Sequence, residues 1–96
     1  MKKGTFTVTS NEALAPGVWR MALAGDTSAI TGPGQFVDLA LPGRFLRRPI
    51  SVCDWTEGEV VLVYKVVGQG TAQMSQMGAG TQLDVLTGLG NGYDLD

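Results

Sequence analysis

The sequence predicts an all-β fold, a closed or nearly closed antiparallel barrel of six strands with one short helix. Polar and apolar residues alternate with a period of two along most of the chain, as they do in half-buried strands. The alternating segments recur at a spacing of roughly 8–12 residues and are separated by glycine- and proline-containing turns, which is typical of barrels. A length of 96 residues allows one domain with one modest core.

Each predicted strand is bounded by residues that favour turns. The alternation is clearest in residues 5–9, and the longest apolar run, residues 59–67, is the best candidate for a central strand. A turn is predicted over residues 11–16, and others at Pro42-Gly43 and Glu57-Gly58. The predicted strands are residues 5–9, 18–24, 35–41, 49–54, 59–67 and 82–86.

One segment, residues 71–77, carries helix signals. Thr71 is suited to the N-cap, because its hydroxyl can accept a hydrogen bond from a free amide of the first turn. Met74 and Met77 are three residues apart and would share one face, where we expect core packing. Gly78 stands where a C-cap glycine is expected.

Composition excludes several classes of function. Seven Lys and Arg residues against nine Asp and Glu give a net charge of −2, which disfavours binding to nucleic acid or to an anionic membrane. The chain has no histidine, so it contains no imidazole base and no imidazole metal ligand. We therefore predict neither a metal site nor a residue that acts as a catalytic acid or base.

Cysteine content and hydropathy suggest the compartment. Cys53 is the single cysteine, so the chain can form no internal disulfide and hold no iron–sulfur cluster. We expect Cys53 to be a small buried apolar residue. No apolar run approaches the length of a membrane span, and the N-terminus has no apolar signal core. These features predict a cytoplasmic location.

The first candidate site is the segment Arg47-Arg48-Pro49-Ile50-Ser51. Pro49 biases Arg48 toward an extended conformation, and an arginine held in that way can pair bidentately with a phosphate. Ser51 adds a hydroxyl nearby. On spacing alone, a solvated basic turn that leads into an edge strand is the favoured interpretation of this segment.

The second candidate is Gly68-Gln69-Gly70-Thr71, which follows the longest strand and opens the helix. Two glycines allow backbone amides to approach an anion closely, although the segment is neither a Walker A loop nor a complete dinucleotide fingerprint. Taken alone, the segment is a weak motif, and an ordinary turn between a strand and a helix is its favoured interpretation. Gly88-Leu89-Gly90-Asn91-Gly92-Tyr93 is interpreted as a turn, with stacking by Tyr93 on a flat ligand as its alternative.

These segments, in this order, resemble the ferredoxin-reductase-like flavoproteins, in particular the electron-transfer subunits of NAD-dependent (class 1B) dihydroorotate dehydrogenase. The resemblance lies in Arg-Pro-Ile-Ser at 48–51, Gly-Gln-Gly-Thr at 68–71 and Leu-Gly-Asn-Gly at 89–92. It implies a Greek-key barrel that binds FAD across one face. Thr87-Gly88 departs from the Gly-Pro that often stands before Leu-Gly-Asn-Gly in the family.

The resemblance also implies roles for particular residues. Arg48 would contact the FAD phosphates, and Gly70 and Thr71 would hold the pyrophosphate at the start of the helix. The flavin ring and the ribityl chain would be lined or bordered by Pro49, Ile50, Ser51, Val63, Tyr64 and Lys65.

We expect residues 1–96 to be the FAD-binding domain of a longer chain. Such subunits also carry an NAD-binding domain and a cysteine-rich segment for a [2Fe–2S] cluster, and neither is found in these residues. The resemblance implies a catalytic dihydroorotate dehydrogenase subunit as partner in a heterotetramer. Electrons from dihydroorotate would reach NAD through the cluster and FAD, in pyrimidine biosynthesis.

Two alternatives remain open from the sequence. The chain could be the equivalent domain of a related subunit, from an NADH-dependent ferredoxin:NADP oxidoreductase or a sulfide dehydrogenase. It could also be a small β-barrel interaction module with no cofactor. Flavin content separates the last interpretation from the other two.

Overall fold

Six strands and one helix are found in the residues that the computed structural model describes, which are 2–32, 35–43 and 47–89. The elements are β1 (Lys2–Ala15), β2 (Val18–Ala24), β3 (Phe36–Ala40), β4 (Arg48–Thr56), β5 (Glu59–Lys65), α1 (Gln69–Ser75) and β6 (Gln82–Leu89). The predicted turn at Gly88–Tyr93 falls mostly outside the described residues, and Gly88 and Leu89 belong to β6.

The strands form a closed antiparallel barrel in the order β1-β2-β5-β4-β3-β6, with β6 paired back to β1. Hairpins join β1 to β2 and β4 to β5, which are consecutive strands. In contrast, β2 and β6 also pair with strands that are distant in sequence, as in a Greek key. The predicted six-stranded Greek-key barrel with one short helix is therefore confirmed.

The first strand closes the barrel because it is long enough to pair on both sides. Its 14 residues pair with β6 from Lys2 to Thr7 and with β2 from Thr7 to Ala15. The predicted turn at 11–16 is wrong for this reason: residues 11–15 continue β1, and the chain reverses only at Pro16-Gly17, where Gly17 has φ +74°. Pairing with β2 overrides the weak strand propensity of Asn-Glu-Ala-Leu-Ala.

Alternate side chains of the strands fill the barrel. On β4, for example, Ile50 and Val52 point inward while Pro49 and Ser51 are exposed. The largest fully buried apolar residues are Phe6, Met21, Leu23, Leu39, Leu62, Met74, Leu83, Val8, Val37, Val60 and Val85.

Cys53 is exposed, so the prediction that it is buried is wrong. It follows the inward-facing Val52 on β4, and the pairing of β4 with β5 shifts register between Val52 and Asp54. Strand alternation therefore directs the thiol outward, although cysteine is commonly a buried residue.

The helix begins and ends two residues earlier than predicted, at Gln69 and Ser75. Gln76 is the C-cap, so Gly78 does not serve that function. Met74 is fully buried and Met77, beyond the helix, packs against the core at its edge, as the sequence suggested. No helix among the described residues is long and apolar enough to cross a membrane.

Substitution of Gly25 by alanine tests how tightly the barrel is packed. A Cβ at Gly25 would lie 2.6 Å from Cδ2 of Phe6, whose ring is almost completely buried. Because the ring has nowhere to move, we expect Gly25→Ala to lower the free energy of unfolding by about 1–3 kcal/mol. Urea unfolding followed by tryptophan fluorescence measures this change.

Gly78→Ala is the matched control, because a Cβ there meets nothing within 4 Å. We expect its effect to stay within about 0.5 kcal/mol. Equal unfolding midpoints for the two variants would contradict this account of the packing.

Candidate functional site

Arg48 lies at one end of the barrel, under the start of α1. It is the first residue of β4 and pairs with Leu39 of β3. Its side chain is on the same, inward side of the strand as the side chain of Ile50. A Cβ placed on Gly70 would lie 3.7 Å from Cδ of Arg48 and 3.5 Å from Cδ1 of Leu41. The structure therefore brings together Arg48 and Gly70, which are predicted site residues from separate segments.

The guanidinium of Arg48 includes a donor without an acceptor. Its Nε is buried and has no hydrogen-bond partner among the described residues. A buried N–H that loses water without gaining another acceptor costs free energy, and such groups are rare in folded proteins. An anionic ligand at this end of the barrel would supply the acceptor.

The neighbouring Arg47 is engaged differently. Its Nη1 donates to the carbonyl oxygens of Asp38 (3.4 Å) and Asp84 (3.3 Å), on β3 and β6. Because the side chains of adjacent residues point in opposite directions, Arg47 links two strands while Arg48 faces the helix. Of the two, Arg48 is the better candidate for binding a ligand.

Thr71 holds the loop that leads into the helix, although it is not the N-cap. Gly68 is the N-cap, and the Thr71 hydroxyl accepts hydrogen bonds from the amides of Val67 (2.9 Å) and Gly68 (3.2 Å). The same hydroxyl lies 3.2 Å from the Gly68 carbonyl oxygen, to which it donates its proton. A ligand at this end would therefore meet the backbone amide of Thr71 in preference to its side chain.

The remaining predicted residues divide between two faces of β4 and β5. Val52 pairs with Leu62, so the residues that precede Val52 lie near those that follow Leu62. Ile50 and Tyr64 are buried inside the barrel. The predicted site residues with exposed side chains on these strands are Pro49, Ser51, Val63 and Lys65.

Tyr64 is 5% exposed, and its hydroxyl donates to Oδ1 of Asn11 at 2.9 Å. Burial raises the pKa of the phenol above its usual value, and the hydrogen bond with Asn11 offsets part of that rise. The phenol therefore stays neutral around pH 7. Any contact of Tyr64 with a ligand on the outer face would come through its backbone.

A hollow lies at the opposite end of the barrel. It has a volume of about 450 Å³ and is lined by residues 25–28, Ile30 and residues 55–58. Asp26 and Glu57 are on its rim, and hydrogen bonding from Lys2 lowers the pKa of Asp26 below its usual range. Glu57 and the ion-paired Asp26 make this hollow poorly suited to a phosphate.

No candidate metal site is found in the described ranges. No group of three His, Cys, Asp or Glu side chains there lies close enough together to hold a metal ion.

Sequence comparison finds relatives over nearly the whole chain. The electron-transfer subunit of dihydroorotate dehydrogenase B (NAD⁺) from Streptococcus mutans is 41% identical over 97 residues, which cover 97% of this chain and 38% of the relative. The subunit of the same name from Enterococcus faecalis is 39% identical over 99 residues, again with 38% of the relative covered. No protein-family model matches the chain.

Structural comparison gives the same barrel. A structure of NADH-dependent reduced ferredoxin–NADP oxidoreductase, a flavin-based electron-bifurcating system, matches with a TM-score of 0.82 and 31% identity, covering 90% of this chain and 33% of that one. Ferredoxin–NADP⁺ reductase from Neisseria gonorrhoeae, solved with FAD and NADP bound, matches with a TM-score of 0.73 and 17% identity, covering 88% of this chain and 37% of that one. The second likeness concerns the fold alone.

The chain spans 38% of the length of the curated relatives from S. mutans and E. faecalis. The alignments with these relatives extend over at least 97% of this chain, and the barrel is that of the ferredoxin-reductase-like proteins. Over nearly its whole length, the chain is therefore similar to part of the dihydroorotate dehydrogenase B electron-transfer subunits.

Proposed function

We propose that this barrel binds FAD and serves as the flavin-binding part of a dihydroorotate dehydrogenase electron-transfer subunit. The observation that carries the proposal is the buried, unpartnered Nε of Arg48 beside Gly70 at the start of α1. Identity of 41% to a named electron-transfer subunit supports the same conclusion.

The end of the barrel at which Arg48 lies under the start of α1 fits the pyrophosphate of FAD. Arg48 supplies a cationic fork that can pair with phosphate oxygens, and Gly70 leaves free the space that a Cβ would occupy between Leu41 and Arg48. The backbone amides of Gly70 and Thr71 lie in the first turn of α1, where a helix offers no acceptor one turn earlier, and can also donate. Arg48, Gly70 and Thr71 would thus hold the phosphates.

The outer face of β4 and β5 fits the flavin and its ribityl chain. Pro49 and Val63 offer apolar contact to a flat ring, and Val63 is 37% exposed in the structure. Ser51 offers a hydroxyl, and Lys65 offers a cation. Ile50 and Tyr64 would support this face from inside the barrel. The isoalloxazine supplies the electron-transfer chemistry when FAD is bound, and the protein binds, orients and shields it.

The remainder of the reaction belongs to parts beyond these 96 residues. We propose that the complete subunit also holds a [2Fe–2S] cluster and an NAD-binding domain, and that it assembles with a catalytic dihydroorotate dehydrogenase subunit as a heterotetramer in the cytoplasm. Two electrons released when dihydroorotate becomes orotate would pass through the cluster to FAD and then to NAD, in pyrimidine biosynthesis. This barrel would bind the FAD that receives the electrons from the cluster and passes them to NAD.

A second candidate function is electron transfer in a ferredoxin–NADP oxidoreductase subunit. The structural match at 31% identity and a TM-score of 0.82 favours it. The sequence matches favour the dihydroorotate enzyme, because identity there reaches 41% over 97% of the chain. Both functions use the same barrel end, whereas a cofactor-free interaction module would leave the Arg48 Nε without an acceptor.

Arg48→Ala tests the phosphate anchor. A charge-assisted hydrogen bond contributes about 1.5–3 kcal/mol, so we expect the Kd for FAD to rise roughly 10- to 100-fold. Arg48→Lys keeps the charge and loses the planar fork, so its affinity should be intermediate. A titration of the visible flavin spectrum measures each Kd.

Lys3→Ala is the matched control for loss of one positive charge, because Lys3 is an exposed residue near the start of β1 that pairs with Leu86 of β6. We expect it to bind FAD like the parent chain. Equal losses of affinity for Lys3→Ala and Arg48→Ala would show that the effect comes from net charge alone. A parent chain that is folded and binds no FAD would refute the proposal.

Gly70→Ala separates binding from stability. The added methyl would sit at ordinary contact distances of 3.5 and 3.7 Å, so the fold accepts it. Alanine has the better helix propensity, so we expect the free energy of unfolding to stay the same or rise by up to about 1 kcal/mol. FAD affinity should fall, because the methyl restricts the Arg48 side chain. Thermal unfolding and FAD titration measure the two effects, and unchanged affinity would contradict a role for this space.

A further inference from the structure

The side chain of Asn11 joins the barrel to the far end of α1. It projects from β1, where the residue pairs with Met21 of β2. Its Nδ2 donates to the carbonyl oxygens of Met74 at 2.8 Å and Met77 at 2.9 Å. The Met74 carbonyl also accepts the Met77 amide at 3.1 Å, so Asn11 is a second donor to it and fixes the end of the helix against the strand.

The orientation of this amide is determined by its partners. Two carbonyl oxygens can be reached only by the NH₂ group, so Oδ1 must point the other way. There it accepts the hydrogen bond from the Tyr64 hydroxyl at 2.9 Å. Tyr64 lies on β5, so a chain of hydrogen bonds runs from β5 through β1 to the end of α1. We call Tyr64 and Asn11 the helix anchor.

The helix depends on such contacts because it is short. It has seven residues, and isolated helices of that length are unstable in water. Its buried residues are Thr71 and Met74, and its first turn is held by the Thr71 hydroxyl. Nε2 of Gln73 donates to the carbonyl oxygen of Pro42 at 2.7 Å, which holds the helix at a further point. The anchor supplies the attachment at the C-terminal end.

The same helix carries Gly70 over Arg48. A shift of its C-terminal end would tilt the whole element, since a short helix moves as a rigid body. The space between Gly70, Leu41 and the Arg48 stem would change with it. The position of the proposed phosphate site therefore depends on hydrogen bonds made at the other end of the helix.

We infer that Asn11 and Tyr64 are positioning residues for the flavin site, acting through α1 on the placement of Gly70 beside Arg48. The inference rests on the proposed function. It gives the Tyr64 side chain a role inside the barrel, distinct from any contact of its backbone with the ligand.

Two nearly isosteric substitutions test the anchor. Asn11→Asp keeps the size and removes both donors, and Tyr64→Phe removes only the hydroxyl. We expect the Kd for FAD to rise roughly 5- to 30-fold in Asn11→Asp and roughly 2- to 5-fold in Tyr64→Phe. In the double variant Asn11→Asp/Tyr64→Phe, we expect little beyond the Asn11→Asp effect, because the tyrosine acts through the asparagine.

Amide hydrogen exchange without FAD provides a separate readout. The Ala72 amide donates to the Gly68 carbonyl at 2.9 Å within α1. We expect its exchange to speed up severalfold in both single variants, while amides in the centre of β5 keep their protection. Glu12→Gln, the next residue of β1, is the matched control and should change neither readout.

The outcomes separate the two proposals. If the parent chain binds FAD and both single variants bind it equally well, the anchor inference is overturned while the proposed function stands. Additive losses in the double variant, with unchanged exchange at Ala72, would also overturn it, because each residue would then act independently. If the folded parent chain binds no FAD, the proposed function fails and the positioning role fails with it. Tyr64→Phe keeps the test valid should Asn11→Asp unfold.

Discussion

The first strand hydrogen-bonds to β6 along its first half and to β2 along its second half, and this double pairing closes the sheet. A closed sheet has no free edge, and its inward side chains form one continuous core. Lys2 and Ala15, the two ends of β1, reach opposite ends of the barrel. A shorter first strand would leave either β2 or β6 incompletely paired.

Closure also determines where the functional elements lie. With β1 extended to Ala15 along β2, the side chain of Asn11 reaches α1, the helix that follows the end of β5. Arg48 begins β4 at that same end, so the helix covers it and Gly70 approaches its stem. The buried Nε of Arg48 is a consequence of this arrangement. One end of the barrel is thereby suited to an anion, while carboxylates line the hollow at the other end.

The barrel was predictable from alternation with turns, and the short motifs in a fixed order pointed to Arg48 and Gly70, which the structure places side by side. Other features depend on tertiary pairing. Residues 11–15 resemble a turn, and pairing with β2 makes them strand. Cys53 resembles a core residue, and its parity on β4 turns it outward. Nothing local marks Asn11 as an anchor, because its partners lie on β5 and at the end of α1, more than 50 residues away.

The central claim is that the barrel binds FAD through its phosphates, and a comparison of FAD with riboflavin tests it most directly. Riboflavin has the same ring and ribityl chain but no phosphate. Isothermal titration calorimetry of the chain with each compound should give a Kd for FAD at least about tenfold lower, since the Arg48 anchor acts only on FAD. Equal affinity for the two compounds, or no binding of FAD by the folded chain, would contradict the account.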